Sequence, residues 1–158
     1  SAVNAPSTGG IIGDREEALV LSGVALAGAN QRSSGDGEDG ILTALETAGL
    51  DLWGTRLVVL SACETGVGDV KHGDGVYGLR RALVLAGSES QLMSRWEVSD
   101  EATRDLMVDY YGRLRRGEGR ADALRQVQLA MLKGRQNLQH PFYWASFILS
   151  GDWRPAFE

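Results

Sequence analysis

The run Arg56-Leu57-Val58-Val59-Leu60-Ser61-Ala62 leads into Cys63 and then opens into Glu64-Thr65-Gly66. Leu57 to Leu60 are consecutive apolar residues with no polar alternation, which predicts a strand over 56–62 buried on both faces, as in a parallel sheet covered by helices. A Gly-rich stretch continues to Gly75. Val76, Leu79, Ala82, Leu83 and Ala86 then repeat at helical spacing up to Gly87, where a helix C-cap belongs. Strand, loop and helix in that order is the unit from which a parallel α/β sheet is built. Ligands of open α/β sheets bind at the carboxyl ends of the strands, so Cys63 stands where chemistry is expected.

Downstream of this unit the pattern repeats. Gln91 to Trp96 reads as a second strand, and Ser99 is placed to cap a helix whose Leu106, Met107, Tyr110, Tyr111 and Leu114 share one face. A further helix is expected from about Ala121 to Leu132, and the β-rich aromatic run Phe142 to Ser150 predicts a last strand. Upstream, Ala18 to Leu26 suggests a short strand, and Gln31 to Gly40 has the composition of a solvated loop. Ile41, Leu42, Leu45 and Ala48 fit a short helix closed by Gly49. Residues 1–16 are small and polar and read as a flexible lead-in, leaving 17–158 as one unit. The alternation predicts an α/β domain with a mostly parallel sheet.

A chain of 158 residues is enough for one core and short for two. Sixteen basic and twenty-one acidic residues leave a net charge of −5, with no basic block to track a phosphate backbone, so nucleic acid is not an expected partner. No apolar run reaches the roughly 20 residues of a membrane helix, and residues 1–10 lack a secretory signal's charged and apolar regions. Cys63 is the single cysteine, which excludes an internal disulfide and a multi-Cys zinc site and suits a reducing, cytoplasmic setting. No metal or cofactor is expected. Residues 1–100 carry seven basic and fourteen acidic groups, net −7, whereas 101–135 carry eight and five, net +3. An acidic half around Cys63 would draw basic ligands if those acids line a cleft, and would only solubilise the surface if they do not.

As a nucleophile, Cys63 needs a thiolate, a His within hydrogen-bond reach and donors for the developing oxyanion. As a buried filler it needs none of these, because free Cys packs as a small hydrophobe. The two histidines of the sequence are His72, in the Gly-rich loop, and His140, ahead of Pro141 where a turn or cap is the default role. Gly73-x-Gly75-x-x-Gly78, with Glu97 about twenty residues on, has the letters of a dinucleotide fingerprint, but its glycines begin ten residues after the strand should end. No Gly-x-x-x-x-Gly-Lys phosphate loop occurs. Asp36, Glu38, Asp39, Asp69 and Asp74 do not form the alternating acid loop of a calcium site.

Leu60-Ser61-Ala62-Cys63-Glu64-Thr65-Gly66 resembles the signature of the CHAT domain, a family of caspase-like cysteine peptidases often attached to tetratricopeptide repeats. Also similar to that family are Leu21-Ser22-Gly23 with Leu26 to Asn30, Asp39 to Ala44, Gly75-Val76-Tyr77-Gly78-Leu79, Ala86 to Ser90, and His140 to Phe147. The resemblance runs from about Leu21 to Trp153. It implies a caspase-like (caspase-hemoglobinase) α/β sheet flanked by helices, with Cys63 as nucleophile and its backbone N–H in the oxyanion site. In the family the catalytic His lies in a His-Gly pair upstream of the Leu-Ser-Gly segment, and this sequence has no His before residue 72. The expectation is therefore the C-terminal portion of a domain, its first strands and its base lying upstream. Arg95-Trp96-Glu97-Val98-Ser99-Asp100 is similar to the family segment in which a Trp follows the strand, and to a stretch of separase whose last Asp lies in the pocket for a basic P1 side chain. The resemblance thus makes Trp96 and Asp100 substrate-binding residues. It implies a protein or peptide substrate, the upstream half of the same domain and flanking repeats as partners, no cofactor, and a bacterial, cytoplasmic setting. The alternatives are a non-catalytic caspase-like scaffold and, more remotely, a dinucleotide-binding domain.

Overall fold

A computed structural model of the chain describes residues 23–26, 29, 40–61, 74–96, 98–134 and 138–157. In chain order the elements are β1 (Gly23–Ala25), β2 (Ile41–Thr43), α1 (Ala44–Ala48), β3 (Val58–Leu60), α2 (Asp74–Leu85), β4 (Ser90–Ser94), α3 (Asp100–Leu114), α4 (Arg120–Lys133), α5 (Pro141–Trp144) and β5 (Phe147–Gly151). β1 and β2 make an antiparallel pair, and the main sheet has the order β3-β4-β5. β3 and β4 are parallel, with Val59 opposite Leu92, whereas β4 and β5 are antiparallel, with Leu92 opposite Leu149. The sheet, expected to be mostly parallel, has one parallel and one antiparallel pair among the described residues.

β4 is buried at every position from Ser90 to Ser94, as its place between two partners requires. Successive side chains of a strand point to opposite faces, and Leu92 and Met93 divide the core accordingly. Leu92 packs with Leu106, Tyr110 and Leu114 of α3, Leu124 and Val127 of α4, and Phe147. Met93 packs with Ala44 of α1 and with Leu79 and Ala82 of α2, with Leu60 and Val24 beside them. Helices thus cover both faces of the sheet, an α/β arrangement in three layers. Each of these large side chains contributes about 1.5–3 kcal/mol by leaving water.

The helix starts and stops follow local chemistry. Ser99 Oγ accepts the Ala102 N–H and caps α3 as expected. Gly87 ends α2 at φ +101°, and a Cβ there would lie 3.1 Å from the Trp53 ring, so both the backbone and the close approach need glycine. Gly49 caps α1, but α1 starts only at Ala44, because Thr43 and Glu46 form a capping box. Ile41 and Leu42, expected in that helix, belong to β2. The predicted strand over Phe142 to Ser150 is likewise shortened. His140 Nδ1 accepts the Phe142 N–H, Pro141 takes the first helical position, and one turn of helix precedes β5.

Candidate functional site

The carboxyl ends of the parallel strands β3 and β4 lie side by side, since Leu60 is opposite Met93. Ser61 leaves β3 at this end, and β4 closes on Ser94, after which Arg95 and Trp96 turn the chain toward α3. A small cleft of about 40 Å³ opens here, lined by Ser61, Ser94, Trp96, Val98, Asp100, Thr103 and Phe147. It sits where an open α/β sheet presents its loops.

Trp96 and Asp100, both expected at a substrate groove, line this one cleft. The Trp96 indole N–H donates to the Phe142 carbonyl at 2.9 Å, which fixes the ring between the loop after β4 and the turn of α5. Asp100 is exposed in the first turn of α3, and its carboxylate has no hydrogen bond or ion pair among the described residues. Ser99 does the capping, so the Asp100 carboxylate is not needed for the helix end. An anion at a helix N-terminus also gains from the helix dipole. Thr103 lies one turn on, the spacing that puts it on the same face of α3 as Asp100. Phe147 is buried and forms the floor.

Cys63 and His72 lie outside the described residues, and so do Glu97 and most of the Gly-rich stretch. Ser61, two residues before Cys63, is the last described position on that side. His140 is committed to the helix cap described above. The dinucleotide reading does not fit this geometry: β3 ends at Leu60 and α2 begins only at Asp74, so Gly73-x-Gly75 is not the tight turn that closes the strand. Among the described residues no group of three or more His, Cys, Asp or Glu is arranged to hold a metal, and no helix is long and apolar enough to cross a membrane.

Ser61, Ser94, Thr103 and Phe147 were not singled out from the sequence as groove residues. The signal for the serines was positional: each ends one of two neighbouring parallel strands, at the side where ligands bind. Thr103 was accessible by adding one helical turn to Asp100, whereas Phe147 is far away in sequence and only strand pairing brings it to the cleft.

Comparison with known proteins points to one family. The family model of the CHAT domain matches residues 7–152. Tetratricopeptide repeat protein 28 of Homo sapiens is 32% identical over 111 residues, which is 70% of this chain and 4% of that protein. Its counterpart in Mus musculus is 31% identical over 111 residues, with the same coverage of 70% and 4%. The chain thus spans about 4% of the length of the curated relatives it matches. No solved structure matches it.

Proposed function

The chain belongs to the CHAT domain family, and from that premise we propose that it is the C-terminal portion of a caspase-like cysteine endopeptidase domain with Cys63 as the nucleophile. The observation that carries the proposal is the cleft at the carboxyl ends of β3 and β4. Trp96 and Asp100 meet there with Ser61, which stands two residues ahead of Cys63.

In this reading the Cys63 thiolate attacks the scissile carbonyl carbon, forming an S–C bond while the carbonyl π pair moves to oxygen. The backbone N–H of Cys63 is one donor to that oxyanion. Collapse expels the amine, which takes a proton from the protonated base, and water then cleaves the thioester to return the thiol. The base in this reading is the His of the His-Gly pair that the resemblance sets ahead of the Leu21-Ser22-Gly23 segment; His72-Gly73 follows Cys63, the wrong order for that pair, and His140 serves as a helix cap. Asp100 offers a carboxylate to a Lys or Arg side chain before the cut, and Trp96 walls the groove. Both curated relatives are named for tetratricopeptide repeats and are far longer than this chain, so we place such repeats beside the domain in the whole protein.

A non-catalytic interaction domain is the second reading. The size of the cleft favours it, because about 40 Å³ holds a water molecule and not a Lys side chain. As a peptidase the cleft must widen around its substrate. Activity separates the two readings. The chain extended upstream through the His-Gly pair is expected to cleave basic peptides, and the 158 residues alone to fall short by about 10²- to 10⁴-fold for want of the base. No cleavage by the extended chain would leave the interaction domain, and cleavage that survives Cys63→Ala would rule out Cys63 as the nucleophile.

A further inference from the structure

A second concave surface lies beside the first. Between the outer edge of β5 and α4 runs a groove of about 370 Å³, lined among others by Leu124, Arg125 and Gln128 of α4, by Trp144, and by Phe147 and Leu149. The backbone of β5 is polarised toward this groove. Ser146 O accepts the Arg95 N–H and the Asp152 N–H donates to Glu89 O, so residues 146, 148, 150 and 152 turn their backbone groups toward β4. By the antiparallel alternation Phe147, Leu149 and Gly151 turn theirs away. The Phe147 carbonyl is met by the Gln128 side-chain amide at 3.2 Å, whereas no partner is described for the outward N–H and C=O of Leu149. An open pair of this kind on an edge strand is a template for a further strand.

Among the described residues Arg125 is the only charged side chain lining the groove. It is exposed and makes no ion pair among the described residues, and no acidic residue lines the groove to neutralise it. Two-fold pairing of this short edge with a second copy about Leu149 would bring two Arg125 side chains, both on the same face of the joined sheet, into one seam. That like-charge contact disfavours self-pairing. We propose that the outer edge of β5 and its groove bind an extended segment of a protein partner, with Leu149 supplying backbone hydrogen bonds, apolar side chains entering beside Leu124 and Trp144, and an acidic residue meeting Arg125. This is strand addition, with affinity from the backbone and specificity from alternate side chains. Because Gln128 occupies the Phe147 carbonyl, the ladder is short and the binding weak. Phe147 borders both this groove and the cleft of Trp96 and Asp100, so the segment is held next to the candidate site. The proposal does not depend on Cys63 acting as a nucleophile.

The test uses the full chain, an acetylated and amidated hexapeptide Val-Thr-Glu-Thr-Val-Thr, whose Val and Glu share one face of an extended strand, and its counterpart with Lys for Glu, followed by amide NMR. The Glu peptide is expected to shift the Leu149 amide and the Trp144 indole resonances saturably and to slow exchange of the Leu149 amide. Arg125→Glu, a change on the exposed face of α4, should weaken the Glu peptide by about fivefold and favour the Lys peptide instead. No saturable shift up to about 5 mM peptide, a response away from β5, or a charge preference unchanged by Arg125→Glu would overturn the proposal. So would Leu149 protection that grows with protein concentration in the absence of peptide, since the occupant would then be a second copy.

Discussion

Tyr110 is fully buried in the α3 side of the core, and its hydroxyl has no hydrogen-bond partner among the described residues. Burial pushes the phenol up to about 12 from its ordinary 10.0, partly opposed by the positive charge of Arg120. A phenol pKa raised in this way leaves stability intact below about pH 10 and removes it as the pH climbs toward about 12, because the unfolded phenol releases its proton first. Tyr110→Phe removes an unpaired buried polar atom. Its stability at neutral pH is therefore expected to equal the parent's or exceed it by up to about 1 kcal/mol. Urea denaturation repeated from pH 9 to 12 checks both points: only the parent should show the Tyr110 share of the alkaline loss. Asp100 differs in being exposed, and in the proposed peptidase it would set specificity. With Ser99 already capping α3, Asp100→Asn should leave unfolding nearly unchanged. In the extended domain it should abolish a preference for basic P1 residues in a peptide library. An apolar preference in the parent, or a basic one that persists in the variant, would contradict the assignment.

At the scale of elements, the short helix α1 and the strand β5 show what patterns in the sequence conveyed. Ile41, Leu42, Leu45 and Ala48 fit a helix by spacing, yet Ile41 and Leu42 pair with β1, and the helix starts after Thr43. The Thr43-x-x-Glu46 capping box marked that start and outweighed the spacing. In Phe142 to Ser150 aromatic composition suggested one strand, but His140-Pro141 imposed a turn of helix before it. α2 and α3 were legible because a stripe and a cap agreed, at Gly87 and Ser99, and β4 and α4 were legible from an apolar run and a helical composition alone. The antiparallel direction of β5 was not, since nothing local to a strand states which way its partner runs. Of the candidate site, Trp96 and Asp100 were reached by resemblance, and their meeting with Phe147 required the pairing of β4 with β5. Gly151, at φ +91°, ends β5 where a Cβ would collide with the Glu89 carbonyl oxygen. Gly151→Ala is accordingly expected to cost about 1–3 kcal/mol in denaturant unfolding, against about 1 kcal/mol for Ser99→Ala.

Across the whole molecule, the two ends of the sheet do different work. At the carboxyl ends of β3 and β4 lie the cleft and Asp100; at the opposite end the chain is tied down by Arg120. That residue is 1% exposed and pairs with Glu89 at 2.8 Å and with Asp152 at 3.7 Å, while Arg154 forks onto Asp152 and holds its carboxyl well below the usual carboxylate range. The Arg120 N–H meets Arg154 O, and Arg56 donates to Ala156 O, so the segment after β5 is strapped to α4 and to the start of β3. Arg120→Ala leaves a cavity where a fully buried side chain stood and is expected to cost about 2–5 kcal/mol, whereas Arg120→Met, which fills the space without a charge, should cost less. Thermal unfolding ranks the two. The account stands or falls on the state of Cys63 in the complete domain. The most direct measurement is covalent labelling of the upstream-extended protein by a peptidyl electrophile with a basic P1 residue, followed across pH 5 to 9 by mass spectrometry of the Cys63 peptide. The account predicts one label per chain at Cys63 near neutral pH, with a half-maximal rate well below the ordinary thiol value of about 8.5. A Cys63 that stays unlabelled, or reacts only as fast as it does in the unfolded chain, would contradict it.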